Sequence, residues 1–209
     1  MTDAHAHVEV GSARHFLVGR DFFGTHPWEA EKYDAEALEK KLIENPEAGV
    51  GEIGLDRLKS KNISEMMRFA FESQLKLAAK YRRPVVLHGA KCWGQVVKAI
   101  SDKCKVISGG IPSFLCHGFS RSDGLIPEIE KLGGFISVGP AVLNDHAVNY
   151  REMVKKIPSS ILLLETDRTN EEGPTIEEVA AKTAELRALS LEELETLTDN
   201  NARRFLCSM

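Results

Sequence analysis

The chain of 209 residues predicts an α/β fold of the TIM type, a (β/α) barrel, because short apolar segments alternate with longer amphipathic ones. Strands that alternate with helices pair in parallel through right-handed crossovers. Polar residues also stand at the ends of many different apolar segments, as in barrels whose active sites gather residues from several strand ends. A doubly wound open sheet is the alternative, but no glycine-rich phosphate loop follows the first apolar segment. We therefore expect a compact or distorted barrel with seven to eight strands.

Eight short apolar segments are the candidate strands. In chain order they are residues 3–8, 16–18, 22–25, 49–55, 84–88, 113–116, 134–138 and 161–165. No linker, internal repeat or low-complexity tract separates them, so residues 1–209 are expected to form a single domain.

Helical spacing and capping signals mark several segments between these strands. Thr175 with Glu178, and Ser190 with Glu193, have the spacing of a capping box, which opens a helix. One helical face is predicted from residues that recur at helical spacing, namely Met67, Ala70, Phe71, Gln74, Leu75 and Ala78. The inner face of the last helix is predicted to consist of Leu191, Leu194, Leu197 and Phe205.

Composition and charge restrict the class of protein. The 27 basic and 31 acidic residues give a net charge of −4, which argues against a broad nucleic-acid-binding face. No apolar run approaches the roughly 18 to 20 residues that cross a bilayer. The first ten residues, MTDAHAHVEV, lack the basic and apolar stretches of a signal peptide, so we expect a cytoplasmic protein without a membrane partner. The four cysteines form no CxxC pair and are expected to be reduced and buried; they are Cys92, Cys104, Cys116 and Cys207.

Two histidines and one glutamate are the first candidate metal ligands. His5 and His7 point to the same face of a strand, where two neutral imidazoles can bind one divalent ion; surface histidines are the alternative. Glu52 lies in the apolar stretch GVGEIGLD, where a carboxylate must be paired or bind a metal. A core salt bridge from Glu52 to Arg57 or Arg83 is the alternative.

Three further candidates also stand at strand ends. His88 and His117 end the apolar segments PVVLH and SFLCH, and Asp167 follows ILLLET. Taken singly, each histidine is more typical of a core residue, and the aspartate of a helix cap or loop. Together, the six residues would meet around one barrel mouth. Six ligands are too many for one catalytic metal with an open position and suit two divalent metals that share a carboxylate and activate water.

Six motifs in order resemble those of the TatD-like metal-dependent hydrolases. They read DAHAH at 3–7, GTHPW at 24–28, GEIGLD at 51–56, PVVLH at 84–88, HGFS at 117–120 and LETD at 164–167. The sequence NARRF at 201–205 is similar to the closing motif of that family. The resemblance covers nearly the whole chain, and its HPW and GLDR variants resemble a compact bacterial branch.

The resemblance implies a hydrolase of the amidohydrolase type, often described as a deoxyribonuclease. It implies that His5, His7 and Asp167 hold a first divalent ion. Asp167 would also be the general base that orients or deprotonates the attacking water.

The resemblance also implies a second divalent ion held by His88 and His117, with Glu52 bridging both ions. Catalysis is thereby assigned to Asp167 and Glu52. Zinc, magnesium and manganese all accept such a mixed imidazole and carboxylate set. The expected substrate is a small phosphoester or the end of a single-stranded DNA.

Three residues are candidate substrate contacts. His26 lies in the GTHP turn, Lys91 comes just after His88, and Arg57 is similarly placed. A lysine can face a phosphate as a point charge. The alternatives are a structural turn histidine and a solvated loop lysine. Trp93 is expected to pack in the core rather than to stack on a base.

The segment 8–23 is shorter than the family pattern. Its sixteen residues cannot hold a long helix and a strand, so the barrel is expected to be distorted or to lack a covering helix there. An uncovered flank would expose apolar surface and favour association. A homodimer through this flank is therefore predicted.

Three functions remain open from the sequence. The first is a two-metal phosphodiesterase or nuclease. The second is a hydrolase with the same metal centre that acts on a small amide, lactone or phosphoester, and the mildly acidic composition favours it slightly. The third is a metal-binding protein without turnover. The retention of all six candidate ligands argues against this third function.

Overall fold

Within the residues that the structure describes, eight strands form the centre of the molecule. The computed structural model describes residues 1–59, 61–106 and 112–207, with only the backbone described for 104–106. The strands are β1 (Thr2–Ala6), β2 (Arg14–Leu17), β3 (Phe22–Phe23), β4 (Gly49–Asp56), β5 (Val85–Ala90), β6 (Phe114–Cys116), β7 (Gly134–Val138) and β8 (Leu162–Leu164). Each overlaps one of the eight predicted segments, so the predicted order of strands is confirmed.

The strands follow one another in chain order and all pair in parallel. Strands β3 to β8 form a six-stranded sheet, and β1 and β2 form a two-stranded one. At one joint, the Asp167 backbone N–H donates to the His5 carbonyl at 3.0 Å, which links β1 to the chain after β8. At the other joint, Val18 forms a bridge with Phe22 of β3. The architecture is the predicted TIM-type α/β barrel, distorted where the two sheets meet.

Helices connect the strands on only part of the barrel. They are α1 (Ala35–Glu44), α2 (Glu65–Tyr81), α3 (Trp93–Val106), α4 (Ile126–Lys131), α5 (Val148–Lys156), α6 (Ile176–Arg187) and α7 (Leu191–Leu206), and a 3-10 helix spans Pro27–Lys32. The connections from β1 to β2 and from β2 to β3, residues 7–13 and 18–21, contain no helix. The missing covering helix predicted for this side is therefore confirmed.

Aromatic and long basic side chains cover this flank instead. Phe205 of α7 stacks on Phe22 with ring centroids 5.9 Å apart. The Arg14 guanidinium lies over the ring of Phe16 at 5.3 Å, and the amine of Lys41 in α1 lies over Phe23 at 5.4 Å. The exposed residues of the stretch 8–23 are Glu9, Gly11, Ser12, Arg14, Gly19 and Arg20. The exposed apolar surface behind the predicted homodimer is thus not found in this stretch, and the homodimer stays a prediction.

The helical signals hold with one exception. Thr175 and Ser190 each form the predicted capping box, and the predicted face of α2 is buried. On α7, Leu194 and Phe205 are buried as expected and Leu197 is partly buried against the core, but Leu191 is 44% exposed. Including Leu191 in the inner face was wrong because it is the first residue of the helix, and burial begins one turn later at Leu194.

The cysteines follow the expectation in part. Within the described residues, Cys92 and Cys116 are buried and form no disulfide, whereas Cys207 is exposed because it lies beyond the last turn of α7. The side chain of Cys104 lies outside the described residues. Within the described part of the chain, no helix combines the length and the apolar character needed to span a bilayer.

Candidate metal centre

Strand β1 and the chain after β8 bring three of the candidate ligands together. The imidazole Nε2 of buried His5 lies 3.5 Å from Asp167 Oδ1 and 3.6 Å from Glu52 Oε2. His7 Nε2 lies 3.5 Å from the same Asp167 oxygen. His5 is buried beneath the mouth, while the carboxylate of Asp167 is 47% exposed. Asp167 therefore reaches both the buried histidine and solvent.

Two more histidines converge on Glu52 from strands β5 and β6. His88 Nδ1 and His117 Nε2 each lie 2.6 Å from Glu52 Oε1, and the two nitrogens are 3.4 Å apart. Glu52 is buried and is surrounded by imidazoles, which differs from the salt bridge to Arg57 or Arg83 that the sequence left open. The structure thus brings all six predicted ligands to one place.

A glycine allows the close approach of the two strands that carry Glu52 and His88. Gly54 lies opposite His88 in the register of β4 and β5 and has a φ of +152°. A Cβ atom at Gly54 would overlap the carbonyl oxygen of His88. Any larger residue would push β5 away and open the contact between Glu52 and His88.

Electrostatics in the buried part of the site favour an ionised glutamate. Burial opposes the charge of Glu52, but the charge of His117, its hydrogen bond with Glu52 and the nearby imidazoles of His26 and His5 outweigh it and hold the pKa of Glu52 well below its usual value. Burial lowers the pKa of His5 to about 4, so this imidazole is neutral and able to act as a ligand. Burial also lowers the pKa of His117, but the charge of Glu52 outweighs this effect and raises it to about 9.

The exposed part of the site also holds an ionised carboxylate. Burial raises the pKa of Asp167, but the hydrogen bond from His7 and the charge of His117 outweigh it and lower the pKa. The same hydrogen bond raises the pKa of His7. Asp167 is thus an anion that faces solvent at the barrel mouth, in the state that a base requires.

The side chains fit divalent metal ions. In the part of the chain that the structure describes, the buried nitrogens His5 Nε2 and His117 Nδ1 have no hydrogen-bond partner, which is costly unless another group satisfies them. Among the described residues, three sets of ligand atoms lie within 4.8 Å of one another: His5, His7 and Glu52; His5, His117 and Asp167; and His26, Glu52 and His88. Mixed imidazole nitrogens and carboxylate oxygens suit zinc and manganese.

Asp56, the last residue of β4, joins two parts of the site and was not predicted as a site residue. Its Oδ2 accepts hydrogen bonds from His88 Nε2 and from the Trp28 indole N–H, both at 2.8 Å. Its Oδ1 accepts from the backbone N–H groups of Leu58 and Lys59. A carboxylate behind an imidazole fixes the ring and its tautomer, so Asp56 orients His88 toward Glu52. The only sequence signal was a carboxylate at the end of a strand beside the one that carries His88.

Helix α2 fixes the loop that carries His26. The buried side chain of Gln74 accepts from the Thr25 backbone N–H at 2.7 Å and donates to the Thr25 carbonyl at 3.1 Å. His26 Nε2 then lies 3.5 Å from Glu52 Oε1. His26 is therefore close enough to the carboxylate to act either as a further ligand or as the substrate contact predicted from the sequence.

A second buried carboxylate stands behind His117. Glu165 accepts hydrogen bonds from the Gly118 backbone N–H at 2.7 Å and from the Ser137 hydroxyl at 2.5 Å. Its Oε2 lies 3.8 Å from His117 Nδ1. Burial raises the pKa of Glu165 to about 7. Like Asp56, Glu165 was not predicted as a site residue.

Cavities surround the cluster on more than one side. One of about 700 Å³ is lined by His7, Glu52, His88 and His117 together with His26 and Trp28. Asp167 lines both this cavity and an adjoining one of about 930 Å³. Arg57 and Lys91, which were predicted to contact substrate, line a separate cavity of about 500 Å³ with Lys61 and Asn62. Their contact with substrate stays a prediction.

A TIM-type barrel whose mouth gathers imidazoles and carboxylates in this way defines a class, the metal-dependent hydrolases. Within that class, the family model described as TatD related DNase matches residues 2–207, and the chain belongs to this family. The resemblance seen in the six sequence motifs is thereby confirmed.

Individual relatives agree with this assignment. The uncharacterized metal-dependent hydrolase YabD of Bacillus subtilis (strain 168) is 29% identical over 194 residues, which cover 87% of this chain and 74% of that protein. The 3'-5' ssDNA/RNA exonuclease TatD of Pantoea vagans (strain C9-1) is 28% identical over 198 residues, covering 86% and 75%. The crystal structure of YjjV, a TatD homologue from Escherichia coli K12, superposes with a TM-score of 0.76 at 28% identity, covering 88% of this chain and 74% of that one.

Proposed function

We propose that this hydrolase cleaves phosphodiester bonds at the ends of single-stranded nucleic acid with two divalent ions. The observation that carries the proposal is the convergence of His5, His88 and His117 on the two oxygens of Glu52. A buried carboxylate with imidazoles at both oxygens is suited to bridge two ions. The nuclease activity named for the Pantoea vagans relative supports the choice of bond.

In this proposal the six side chains divide between the ions. His5, His7 and Asp167 hold the first, His88 and His117 hold the second, and Glu52 contacts both. Two ions held in this way would lower the pKa of water and stabilise negative charge on the oxygens of a phosphoryl group. Glu52 keeps its charge in this role because the surrounding imidazoles hold its pKa low.

Asp167 is the proposed general base. Its carboxylate is ionised, half-exposed and adjacent to His5 and His7, and it borders both large cavities. A substrate that occupies the two cavities would present its scissile bond beside this carboxylate. Asp167 would orient the attacking water and accept its proton.

The test is an assay of a labelled single-stranded thymidine oligonucleotide with manganese or magnesium. We expect stepwise loss of nucleotides with the wild type. Asp167→Asn is expected to reduce kcat by at least about a hundredfold, the lower end for general-base removal. Glu52→Ala should reduce kcat at least as much because both ions would lose a ligand, while circular dichroism stays native in both variants. Glu171→Gln changes an exposed carboxylate of the loop after β8 and should keep wild-type activity.

A parallel panel of small amides, lactones and phosphoesters separates the alternatives. Turnover of one of these with no cleavage of the oligonucleotide would reject the nuclease and favour a small-molecule hydrolase. Absence of turnover on every substrate by a metal-loaded protein would favour a binding protein. The cytoplasmic location expected from the sequence stays a prediction.

A further inference from the structure

We propose that Trp28 and Lys59 form a nucleotide-binding surface beside the metal centre, on which a base of the substrate stacks. This inference rests on the proposed phosphodiester hydrolysis and names the part of the substrate that lies on one side of the scissile bond. Neither residue is among the six candidate ligands.

The position of the Trp28 indole favours contact with a bound molecule. Its side chain is 53% exposed, which is unusual for a tryptophan, and it lines the same 700 Å³ cavity as Glu52 and His88. The ring centroids of Trp28 and His88 are 6.4 Å apart. A base on this indole would therefore lie one nucleotide or less from a phosphate at the metal centre.

The indole is held in place before any ligand binds. Its N–H donates to Asp56, and its backbone N–H donates to His26 Nδ1 at 3.1 Å. The ring of His26 packs against it nearly perpendicularly, with centroids 4.7 Å apart. An exposed aromatic ring fixed by hydrogen bonds loses little conformational entropy on binding, and such rings are effective stacking surfaces.

A cation accompanies the aromatic ring. Lys59 Nζ lies 4.6 Å from the centre of the Trp28 ring, a cation–π distance. Lys32, another basic residue of the cavity wall, pairs with Glu29 at 2.7 Å. A base that stacks on the indole would displace the amine of Lys59 from the ring toward the sugar–phosphate backbone. Aromatic and basic groups in this combination are typical of surfaces that bind single strands.

Further basic residues lie near Lys59. Arg57, Lys61 and Lys91 line the neighbouring 500 Å³ cavity, and Arg57 follows Asp56 directly. Together with Lys59 they place positive charge on one side of the mouth of a protein whose net charge is −4. A short anionic strand fits this side better than a neutral small molecule does.

The experiment measures binding to the metal-free protein, so that turnover does not interfere. The probes are a dye-labelled thymidine tetranucleotide and its abasic counterpart, which carries the same phosphates without bases, and the readout is fluorescence anisotropy. We expect the wild type to bind the thymidine probe about tenfold more tightly than the abasic probe, as expected for one stacked base. Trp28→Ala should remove this preference, and Lys59→Ala should weaken binding of both probes and reduce its salt dependence.

Two control variants separate stacking from indirect effects. Trp28→Phe keeps an aromatic ring but loses the hydrogen bond to Asp56, and it should retain most of the preference for the thymidine probe. Phe69→Ala removes a ring that is 60% exposed on α2, outside this cavity, and should bind like the wild type. With manganese present, Trp28→Ala should raise KM for the oligonucleotide about tenfold and change kcat little.

The inference is overturned if the wild type binds the thymidine and abasic probes equally, or if Trp28→Ala keeps the preference. Equal losses in Trp28→Phe and Trp28→Ala would also overturn it, because the effect would then come through Asp56. Base-dependent binding that requires Trp28, without cleavage, would reject the proposed hydrolysis and leave the binding surface standing. Cleavage that does not depend on Trp28 would support the proposed hydrolysis and reject the binding surface.

Discussion

At the residue scale, the candidate metal ligands could be predicted from the sequence, but the residues that hold them in position could not. Histidines and carboxylates that end apolar segments are few, so their positions pointed to one barrel mouth. Asp56 and Trp28 are defined instead by a contact between β4, β5 and the loop after β3. A contact across three segments leaves no periodic signal along the chain. From the sequence, both residues were therefore noticed only as members of the family motifs, and neither was predicted to be a site residue.

Substitution of Asp56 tests whether this residue holds His88 in position. In Asp56→Asn the amide oxygen can still accept from the Leu58 and Lys59 backbones. The amide nitrogen would then face the His88 and Trp28 donors, which it cannot satisfy. We expect metal affinity to fall about 10- to 100-fold, as for other residues behind metal-binding histidines.

The measurement for Asp56→Asn is competition for metal against a calibrated chelator. Asp145→Asn, an exposed aspartate paired with Arg151, is the matched control and should bind metal like the wild type. Wild-type affinity in Asp56→Asn would show that Asp56 does not position His88. A melting temperature close to that of the wild type would confirm that the loss does not arise from unfolding.

At the element scale, strands and helix starts were predictable because their signals are local. Apolar segments located all eight strands, and two capping boxes located the starts of α6 and α7. The cover of the shortened flank was not predictable. It depends on Arg14, Lys41 and the distant Phe205, which meet the aromatic rings of β2 and β3 only in the folded chain.

Phe205 tests how far α7 substitutes for the missing helices. Its buried ring contacts Phe16, Phe22 and Phe135. Phe205→Ala should lower the free energy of unfolding by about 3 to 5 kcal/mol, because it leaves a cavity among these rings. Phe205→Leu retains much of the volume and should cost clearly less.

Urea denaturation followed by circular dichroism measures these changes. Phe69→Ala, at an exposed position on α2, should lower the free energy of unfolding by less than about 1 kcal/mol. Similar small losses for Phe205→Ala and Phe69→Ala would contradict the role of α7 as a cover of the flank.

At the scale of the whole molecule, the barrel is small for its architecture. A complete eight-fold barrel typically takes about 250 residues, and this chain spans 74% of the length of YabD. Two crossovers without helices account for part of the difference. The shortening was predicted from the sequence. The homodimer was inferred from an exposed apolar flank, and the exposed residues within 8–23 are polar residues and glycines. The single domain over residues 1–209 stays a prediction.

The net charge of the chain indicates less about the substrate than the distribution of charge around the mouth of the barrel does. The value of −4 argued against a long contact with nucleic acid. In the folded chain, however, Lys59 lies at the metal centre's cavity and three further basic residues line the neighbouring one. Summed composition does not report such clustering, because it depends on which loops meet at the mouth. The distribution is compatible with a short single strand as substrate.

The bridging role of Glu52 is the central claim, and counting bound metal tests it most directly. Purified protein is loaded with manganese or zinc, freed of excess ion and measured by elemental analysis. We expect about two ions per chain in the wild type and fewer than one in Glu52→Ala, since both ions would lose a shared ligand. A wild type that retains no ion, or a folded Glu52→Ala that still retains two, would contradict the two-ion centre.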